Sequence, residues 1–194
     1  MEARLDFGLV TLESPAPKSL PVGGVLQDAD LVAAARQGDR SAFGILYQRY
    51  SRTIHGVVLA NVPFSEVDDI VQDVFLVAMR KLSSLREPGA FGGWLIAIAR
   101  HRATDFYRRA RFTEELPPEI GSTDADDGEA RAALEAIRLL PEAYRETLML
   151  RLVEGMSGPE IAARTGLTPA SVRVNLHRGM KQLRERLGRS QGNE

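Results

Sequence analysis

Apolar residues recur every three or four positions through most of the chain, the spacing that places them on one face of an α-helix. This pattern predicts helices over residues 28–37, 39–62, 65–85, 91–111 and 131–140, and three more helices after Pro141. Gly38 and Pro63 separate the first three segments, as helix-ending residues do. The chain is therefore predicted to be all-α, with its apolar stripes packed into helical cores.

A break in the pattern divides the chain at residues 113–128, which contain two prolines and two glycines. This stretch is acidic and contains no lysine or arginine, so charge repulsion should keep it extended. The sequence predicts two small helical domains, residues 28–112 and 129–188, joined by this flexible acidic linker. Residues 1–27 are expected to form a flexible extension, with or without a regulatory role, and residues 189–194 a short tail.

Residues 157–181 carry the local signals of two helices joined by a tight turn. Ser157 and Glu160 have the spacing of a capping box, and Gly166 stands where a helix can end in the left-handed conformation. Thr168 and Pro169 are suited to be the N-cap and the first residue of the next helix. This arrangement is typical of a helix-turn-helix, whose second helix enters the DNA major groove. The alternative is an ordinary amphipathic hairpin with a solvated basic face.

The outer face of the third helix is a second candidate surface. Asp69, Gln72 and Asp73 recur there at helical spacing, beside Leu76 and Met79. Carboxylates alone would indicate a solvated face, which is the ordinary interpretation of such a pattern. The apolar side chains among them suit a surface that binds a partner protein, but the pattern by itself still favours the solvated face.

The second half of the fourth helix is strongly basic. His101, Asp105, Arg108 and Arg109 share one of its faces, and Tyr107 lies nearby as a stacking surface. Arginines beside aromatic rings suit phosphates and unstacked bases. A solvated helix end is the alternative, because cations are also favourable at helix C-termini.

Composition narrows the classes of function. The net charge is only −1, so any nucleic-acid surface must arise from local segregation of charge. The absence of cysteine and the wide separation of the three histidines argue against a metal site. No apolar run has the length of a membrane span and no signal peptide is apparent, so a cytoplasmic protein is expected. No nucleophile elbow, phosphate loop or paired-carboxylate motif occurs, so we expect no catalytic residue, no cofactor and no enzyme activity.

Four segments taken together resemble the extracytoplasmic-function (ECF) group of bacterial sigma factors in the sigma-70 family. They are DADLVAAARQGDRSAFGILYQRY, DDIVQDVFLVAMRKL, WLIAIARHRATDFYRR and LLPEAYRETLMLRLVEGMSGPEIAARTGLTPASVRVNLHRGMKQLRE. The resemblance extends from residue 28 to about residue 187. It implies a sigma-2 domain and a sigma-4 domain, which together bind RNA polymerase core, direct it to promoters and help to open the DNA.

The resemblance also implies roles for particular residues of the first domain. In such proteins the face of the third helix binds the clamp helices of the β′ subunit, and the residues that match here are Asp69, Gln72, Asp73, Leu76 and Met79. The fourth helix is similar to the part that captures the minus-10 element, with Trp94, His101, Arg102, Asp105, Arg108 and Arg109 as candidate contacts. Family members often have asparagine at the position of His101, which leaves the preferred flipped base open.

The second helix of the helix-turn-helix should read the minus-35 element. Its candidate contacts are Pro169, Ala170, Ser171, Arg173, Val174, Asn175, His177 and Arg178. Many relatives carry Lys-Ser-Arg where this chain has Arg173, Val174 and Asn175. Because asparagine pairs well with adenine edges, this difference is expected to shift recognition from guanine toward adenine. His177 and Arg178 are expected to contact phosphate.

The implied partners are the polymerase core, through the β′ clamp helices and the β flap, and promoter DNA. Most relatives are inhibited by an anti-sigma factor, often membrane-bound, so the same is expected here, with a membrane involved only indirectly and no small-molecule substrate. A polymerase-independent regulator is one alternative, but it would need a sensor domain or dimer interface, for which the first domain shows no signature. An enzyme is the other alternative, and no motif supports it.

Overall fold

A computed structural model describes the chain over residues 27–113 and 125–191, apart from the side chains of residues 110–113, 125–129 and 189–191. The predicted N-terminal extension, most of the acidic linker and the end of the tail lie outside the described residues. Within those two ranges the chain forms eight α-helices, three short 3-10 helices and no strand. The prediction of an all-α fold is therefore confirmed.

The helices follow the predicted order, with small shifts at their ends. They are α1 Asp28–Arg36, α2 Arg40–Leu59, α3 Val67–Lys81, α4 Phe91–Thr113, α5 Ala125–Arg138, α6 Glu142–Leu152, α7 Gly158–Thr165 and α8 Pro169–Gln191. The 3-10 turns are Phe64–Glu66, Leu82–Ser84 and Pro88–Ala90. Helix α5 begins six residues before the predicted start at residue 131, so residues 125–128 of the predicted linker are helical.

The first domain is built from α1 to α4 around the apolar stripe that the sequence predicts on α3. Ile70, Val74 and Ala78 of that stripe are buried. Helix α1 is fixed to α2 by Asp28, whose carboxylate accepts hydrogen bonds from Arg49 and from the hydroxyl of Tyr50. Burial and the nearby Asp28 carboxylate raise the pKa of Tyr50, so the phenol stays protonated and keeps donating to Asp28.

Helix α6 lies at the centre of the described structure. Five consecutive residues of this helix are buried, namely Glu146, Thr147, Leu148, Met149 and Leu150. Because successive helix residues point in different directions, such a run means that neighbours surround the helix. Helices α7 and α8 cover it from within the second domain, and α2 of the first domain also packs against it. The two domains therefore share one continuous buried core.

The apolar spacing after Pro141 predicts Tyr144, Leu148, Leu150 and Leu152 as core residues of the second domain, and for Leu152 this prediction is wrong. This side chain is 49% exposed, whereas Met149, which the sequence did not place in the core, is fully buried. The physical reason is the contact between α6 and α2, which covers a side of α6 that an isolated second domain would expose.

The helix-turn-helix has the predicted local geometry. The backbone N–H of Ser157 donates to the Glu160 carboxylate at 2.7 Å, and the N–H of Glu160 donates to the Ser157 hydroxyl at 3.4 Å. These hydrogen bonds lower the pKa of Glu160. Gly166 ends α7 with φ of +75°, and Thr168 caps α8 by accepting the Ser171 N–H at 3.1 Å. The turn that positions α8 is thus specified by residues within it.

Gly166→Ala is expected to lower the free energy of unfolding by about 1–2 kcal/mol, because a Cβ disfavours the left-handed conformation. Open space surrounds this position, so the loss would be conformational rather than steric. Gly44→Ala in α2 is the control, since it also meets open space but lies within a helix. It should raise stability by about 0.5–1 kcal/mol. Urea denaturation of both variants measures the difference.

Candidate functional site

A groove of about 500 Å³ runs between α2 and α3. We call it the α2–α3 groove, and its lining residues are Phe43, Tyr47, Asp68, Val71, Gln72, Phe75, Leu76 and Met79. Leu76 and Met79 are exposed, at 38% and 54%, while Val71 and Phe75 form a buried floor. Asp69 and Asp73 are exposed on the same helix, one turn apart. Of the predicted residues of α3, Gln72, Leu76 and Met79 therefore line this concave apolar surface together with Asp68, whereas Asp69 and Asp73 are exposed on the same helix but are not among the lining residues.

Helix α2 supplies part of this groove, which the sequence did not predict. The apolar spacing over residues 39–62 predicts Tyr47 in the core stripe of α2, but it is 46% exposed and its ring lies 4.6 Å from that of Phe75. Phe43, one turn before Tyr47, also lines the groove. An apolar residue at the edge of a stripe can face the core or a groove, so periodicity alone does not distinguish the two places.

Helix α4 carries the candidate residues for the minus-10 element. Trp94, His101 and Arg108 are spaced seven residues apart, so they lie along one face over about 21 Å. The Trp94 ring is half-buried, 5.9 Å from that of Phe91, whereas His101 and Arg108 are exposed. Arg109 is also exposed and Arg102 is half-buried. The structure thus places an aromatic ring at one end of this face and a group of cations at the other.

The Asp105 carboxylate lies between three basic side chains of α4. The side chain is 13% exposed, and the carboxylate lies 3.2 Å from His101 Nδ1, 2.9 Å from Arg108 Nη2 and 3.9 Å from Arg102 Nη1. A buried carboxylate repels phosphate rather than attracting it. Of the residues predicted to contact DNA, Asp105 is therefore the one whose carboxylate is directed at the basic side chains of its own helix.

The first turns of α8 present most of the predicted recognition residues to solvent. Pro169, Ala170, Arg173, Val174, His177 and Arg178 are exposed, and Ser171 is half-buried beside its N-cap, Thr168. Asn175 differs from them, because it is half-buried and its amide lies 3.5 Å from the hydroxyl of the buried Thr147 on α6. In this structure the amide faces the protein, so the predicted pairing of Asn175 with adenine would require it to leave Thr147.

Two other kinds of site are absent from the part of the chain that the structure describes. Residues 27–113 and 125–191 contain no group of three or more acidic, histidine or cysteine side chains that could hold a metal ion. Over the same residues, no helix combines the length and the apolar character needed to cross a lipid bilayer.

Comparison with known proteins identifies both helical domains. The family model described as "Sigma-70 region 2" matches residues 46–113, and the one described as "Sigma-70, region 4" matches residues 130–183. The α2–α3 groove and the basic face of α4 lie almost entirely within the first match, and the exposed start of α8 lies within the second.

Individual relatives agree with these matches. The ECF RNA polymerase sigma factor SigD of Mycobacterium tuberculosis is 34% identical over 200 residues, covering 92% of this chain and 91% of its own. The RNA polymerase sigma factor CarQ of Myxococcus xanthus is 32% identical over 163 residues, covering 79% and 93% respectively. The solved structure of CnrH in complex with the cytosolic domain of CnrY is 29% identical, with a TM-score of 0.57, and the match covers 83% of this chain and 97% of the solved chain. The chain belongs to the ECF RNA polymerase sigma factors of the sigma-70 family.

Proposed function

We propose that this sigma factor is an adaptor without bond chemistry, in which three separate surfaces bind polymerase, the minus-10 element and the minus-35 element. The supporting observation is the α2–α3 groove, where Tyr47, Leu76 and Met79 stay exposed beside Asp69 and Asp73. Its shape, floor and acidic border suit an amphipathic helical partner with basic side chains, such as the β′ clamp helices.

The second domain is proposed to position the complex on duplex DNA and to contact the β flap. The exposed start of α8 can enter the major groove, where base edges specify sequence and phosphates fix orientation. Leu152 and Val153, at 49% and 45% exposure, offer an apolar contact at the end of α6 for a partner such as the β flap.

The basic face of α4 is proposed to bind one strand after its bases unstack. Capture of a flipped base offsets an unpairing cost of a few kcal/mol, so promoter opening is favoured by binding the open state more tightly than the duplex. His101 is positioned to meet such a base, because it is exposed between Trp94 and the arginines that Asp105 orients.

The direct test of this function is run-off transcription with core polymerase and candidate promoters. We expect a promoter-dependent transcript only when the sigma factor is added. A protein that binds promoter DNA but never joins core polymerase would support the polymerase-independent regulator instead.

We also propose control by an anti-sigma factor in the cytoplasm, with any membrane involved only through that partner. The support is the similarity to CnrH, whose structure was solved with the cytosolic domain of a second protein, CnrY. Co-purification from native extract of unstressed cells should recover a stoichiometric protein partner that polymerase core displaces. Recovery of the sigma factor alone would contradict this part of the proposal.

Arg173 and Arg178, both exposed on α8, are expected to contribute to DNA binding in different ways. Arg173→Ala should reduce the binding free energy by about 1–3 kcal/mol and relax specificity at one base position. The reason is that Arg173 lies in the first turns of α8, which are proposed to meet base edges. Arg178→Ala should weaken binding to all DNA sequences alike, as expected for a phosphate contact. The slope of the logarithm of the binding constant against the logarithm of the salt concentration should fall in magnitude by about one. Binding to single-base promoter variants at several salt concentrations separates the two roles, and identical profiles would contradict this assignment.

A further inference from the structure

Val174 is an exposed apolar residue among the basic residues of α8. It lies in the second turn of the helix, and 43% of its surface is open to solvent. A single exposed apolar side chain is ordinary on a protein surface, so its position decides whether it has a role. Valine is a weaker helix former than alanine, and at an exposed site it gains nothing from burial in the core. Folding therefore gives no reason for a valine here, whereas a contact with a partner would.

Helix geometry places Val174 at the centre of the outer face of α8. Successive residues of an α-helix differ in direction by about 100°. Leu183, which is buried, follows Val174 by nine residues and therefore lies about 180° from it around the helix. Val172 is also buried, and it lies about 160° away. Val174 thus points directly away from the core of the second domain, which is the direction from which DNA would approach this helix.

Basic side chains flank this outward position. Ala170 is exposed one turn before Val174, about 40° away, so the two form a short apolar strip. Arg173 and His177 are exposed on one side of the strip, and Arg178 is exposed on the other. A helix in the major groove directs the middle of its outer face at base edges and its flanks toward the two phosphate backbones. The apolar strip therefore meets the base edges directly in front of the helix, and the longer basic side chains reach bases and phosphates beside it.

The chemistry of the base edges decides what an apolar strip can recognise. In the major groove, thymine presents a C5-methyl group beside its O4 acceptor, and the other bases present only hydrogen-bonding groups. An aliphatic side chain gains free energy by covering this methyl group. Against an amino or carbonyl group, valine would remove water without replacing its hydrogen bonds, which is unfavourable. A valine at the centre of the outer face therefore selects thymine.

Asn175, the next residue, does not share this outward position. It is half-buried, and its amide lies 3.5 Å from the hydroxyl of Thr147 on α6. The base edge in front of Val174 is therefore left to the valine. The preference for A·T pairs expected from residues 173–175 then has a second physical origin, a reader of thymine instead of a reader of adenine.

We propose that Val174, supported by Ala170, reads one thymine of the minus-35 element through its C5-methyl group. This inference rests on the proposed function, because it assigns a base feature to one residue of the proposed minus-35 surface. The two ways of preferring an A·T pair depend on different atoms, since valine needs the thymine methyl group and asparagine needs N6 and N7 of adenine. Base analogues that delete one of these groups at a time distinguish them.

The test uses holoenzyme, assembled from core polymerase and this sigma factor, on a promoter duplex that supports run-off transcription. Each minus-35 thymine is replaced in turn by uracil, which keeps the O4 acceptor and lacks only the methyl group. The affinity of holoenzyme should fall about fourfold at one of these positions, the factor that corresponds to uncovering one methyl group. Replacement of the paired adenine by 7-deazaadenine, which lacks the N7 acceptor, should leave the affinity unchanged at that position.

Val174→Ala should abolish this discrimination, so that the ratio of thymine affinity to uracil affinity falls from about four to about one. Val174→Ile, which keeps a branched aliphatic side chain, should retain it. Because Val174 is exposed and alanine is the better helix former, Val174→Ala should not lower the free energy of unfolding. A valine with only a structural role would leave the thymine-to-uracil ratio unchanged when it is replaced.

Leu139→Ala is the matched control, because it truncates another exposed apolar side chain of the second domain, at 66% exposure and outside α8. It should keep the parent's thymine-to-uracil ratio. Arg173→Ala is the comparison within α8. It should weaken binding but keep the ratio, because uracil retains every hydrogen-bonding group of thymine that an arginine could contact.

The outcomes separate this inference from the proposed function. Equal affinity for thymine and uracil at every minus-35 position would overturn the inference, and this measurement needs no variant protein. An unchanged ratio in Val174→Ala, or a loss with 7-deazaadenine where uracil causes none, would also overturn it while run-off transcription stayed normal. If the parent gave no promoter-dependent transcript, the proposed function would fail and the inference with it.

Discussion

Reversal of two charges, Asp69→Lys with Asp73→Lys, is expected to lower core-polymerase affinity at least about 100-fold. Both carboxylates are exposed on α3 beside the apolar residues of the α2–α3 groove. Placing like charges against a basic partner surface costs several kcal/mol, and each 1.4 kcal/mol corresponds to a factor of ten. Fluorescence anisotropy with core polymerase measures the affinity of each variant. The ratio of the parent's affinity to that of the variant should grow as the salt concentration falls, because screening weakens.

The same variant should bind minus-35 DNA as the parent does, because Asp69 and Asp73 lie in the first domain and the helix-turn-helix in the second. Asp30→Lys with Glu87→Lys is the control, since both positions are exposed and the change in net charge is identical. This control should retain core binding to within a few-fold. Loss of core binding in both double variants would point to net charge alone, and loss of DNA binding would contradict separate surfaces.

Helix ends and turns that depend only on nearby residues could be predicted from the amino-acid sequence. The capping box of Ser157 and Glu160 and the left-handed Gly166 depend on residues three to nine positions apart, so local rules are sufficient. The α3 stripe was also predicted, because one side of that helix faces the core and the other faces solvent. A helix with one side on the core and the other in solvent has clearly separate apolar and polar faces.

Helix α6 shows where this reasoning fails. Leu148, Met149, Leu150 and Leu152 are all apolar, and only the contact with α2 decides which of them are covered. A helix surrounded by neighbours has no single apolar stripe, so periodicity cannot identify its exposed residues. The arrangement of the two domains depends on side chains as far apart in sequence as His55 and Glu154, which no local pattern relates.

For the candidate site too, the sequence predicts what depends on nearby residues but not the contacts between distant helices. The sequence identified the helices that carry Asp105 and Asn175, and the structure adds what each side chain meets. Asp105 orients basic side chains of its own helix, a pairing that spacing could have suggested. Asn175 meets Thr147, which belongs to a different helix and could not be related to it in advance. Family resemblance therefore predicts which helices carry the candidate residues, but not which neighbours each of these side chains contacts.

Leu148→Ala is expected to lower the free energy of unfolding by about 2.7–5 kcal/mol, the usual range for deleting a leucine from a well-packed core. Leu148 is fully buried in α6, and α8 approaches it so closely that a Cβ at Gly179 would lie 3.0 Å from its Cδ1. The surrounding helices cannot easily collapse into the cavity, because both domains contribute to this core. The melting temperature should fall by roughly 5–20 °C.

Leu152→Ala is the matched control, because it makes the same substitution one turn later in the same helix. Leu152 is 49% exposed, so its truncation should cost about 1 kcal/mol or less. Urea titrations of both variants, followed by circular dichroism, give the two free energies and their denaturant slopes. A large loss for Leu152→Ala and a small one for Leu148→Ala would mean that α6 is rotated from the orientation described, and with it the contact that joins the two domains.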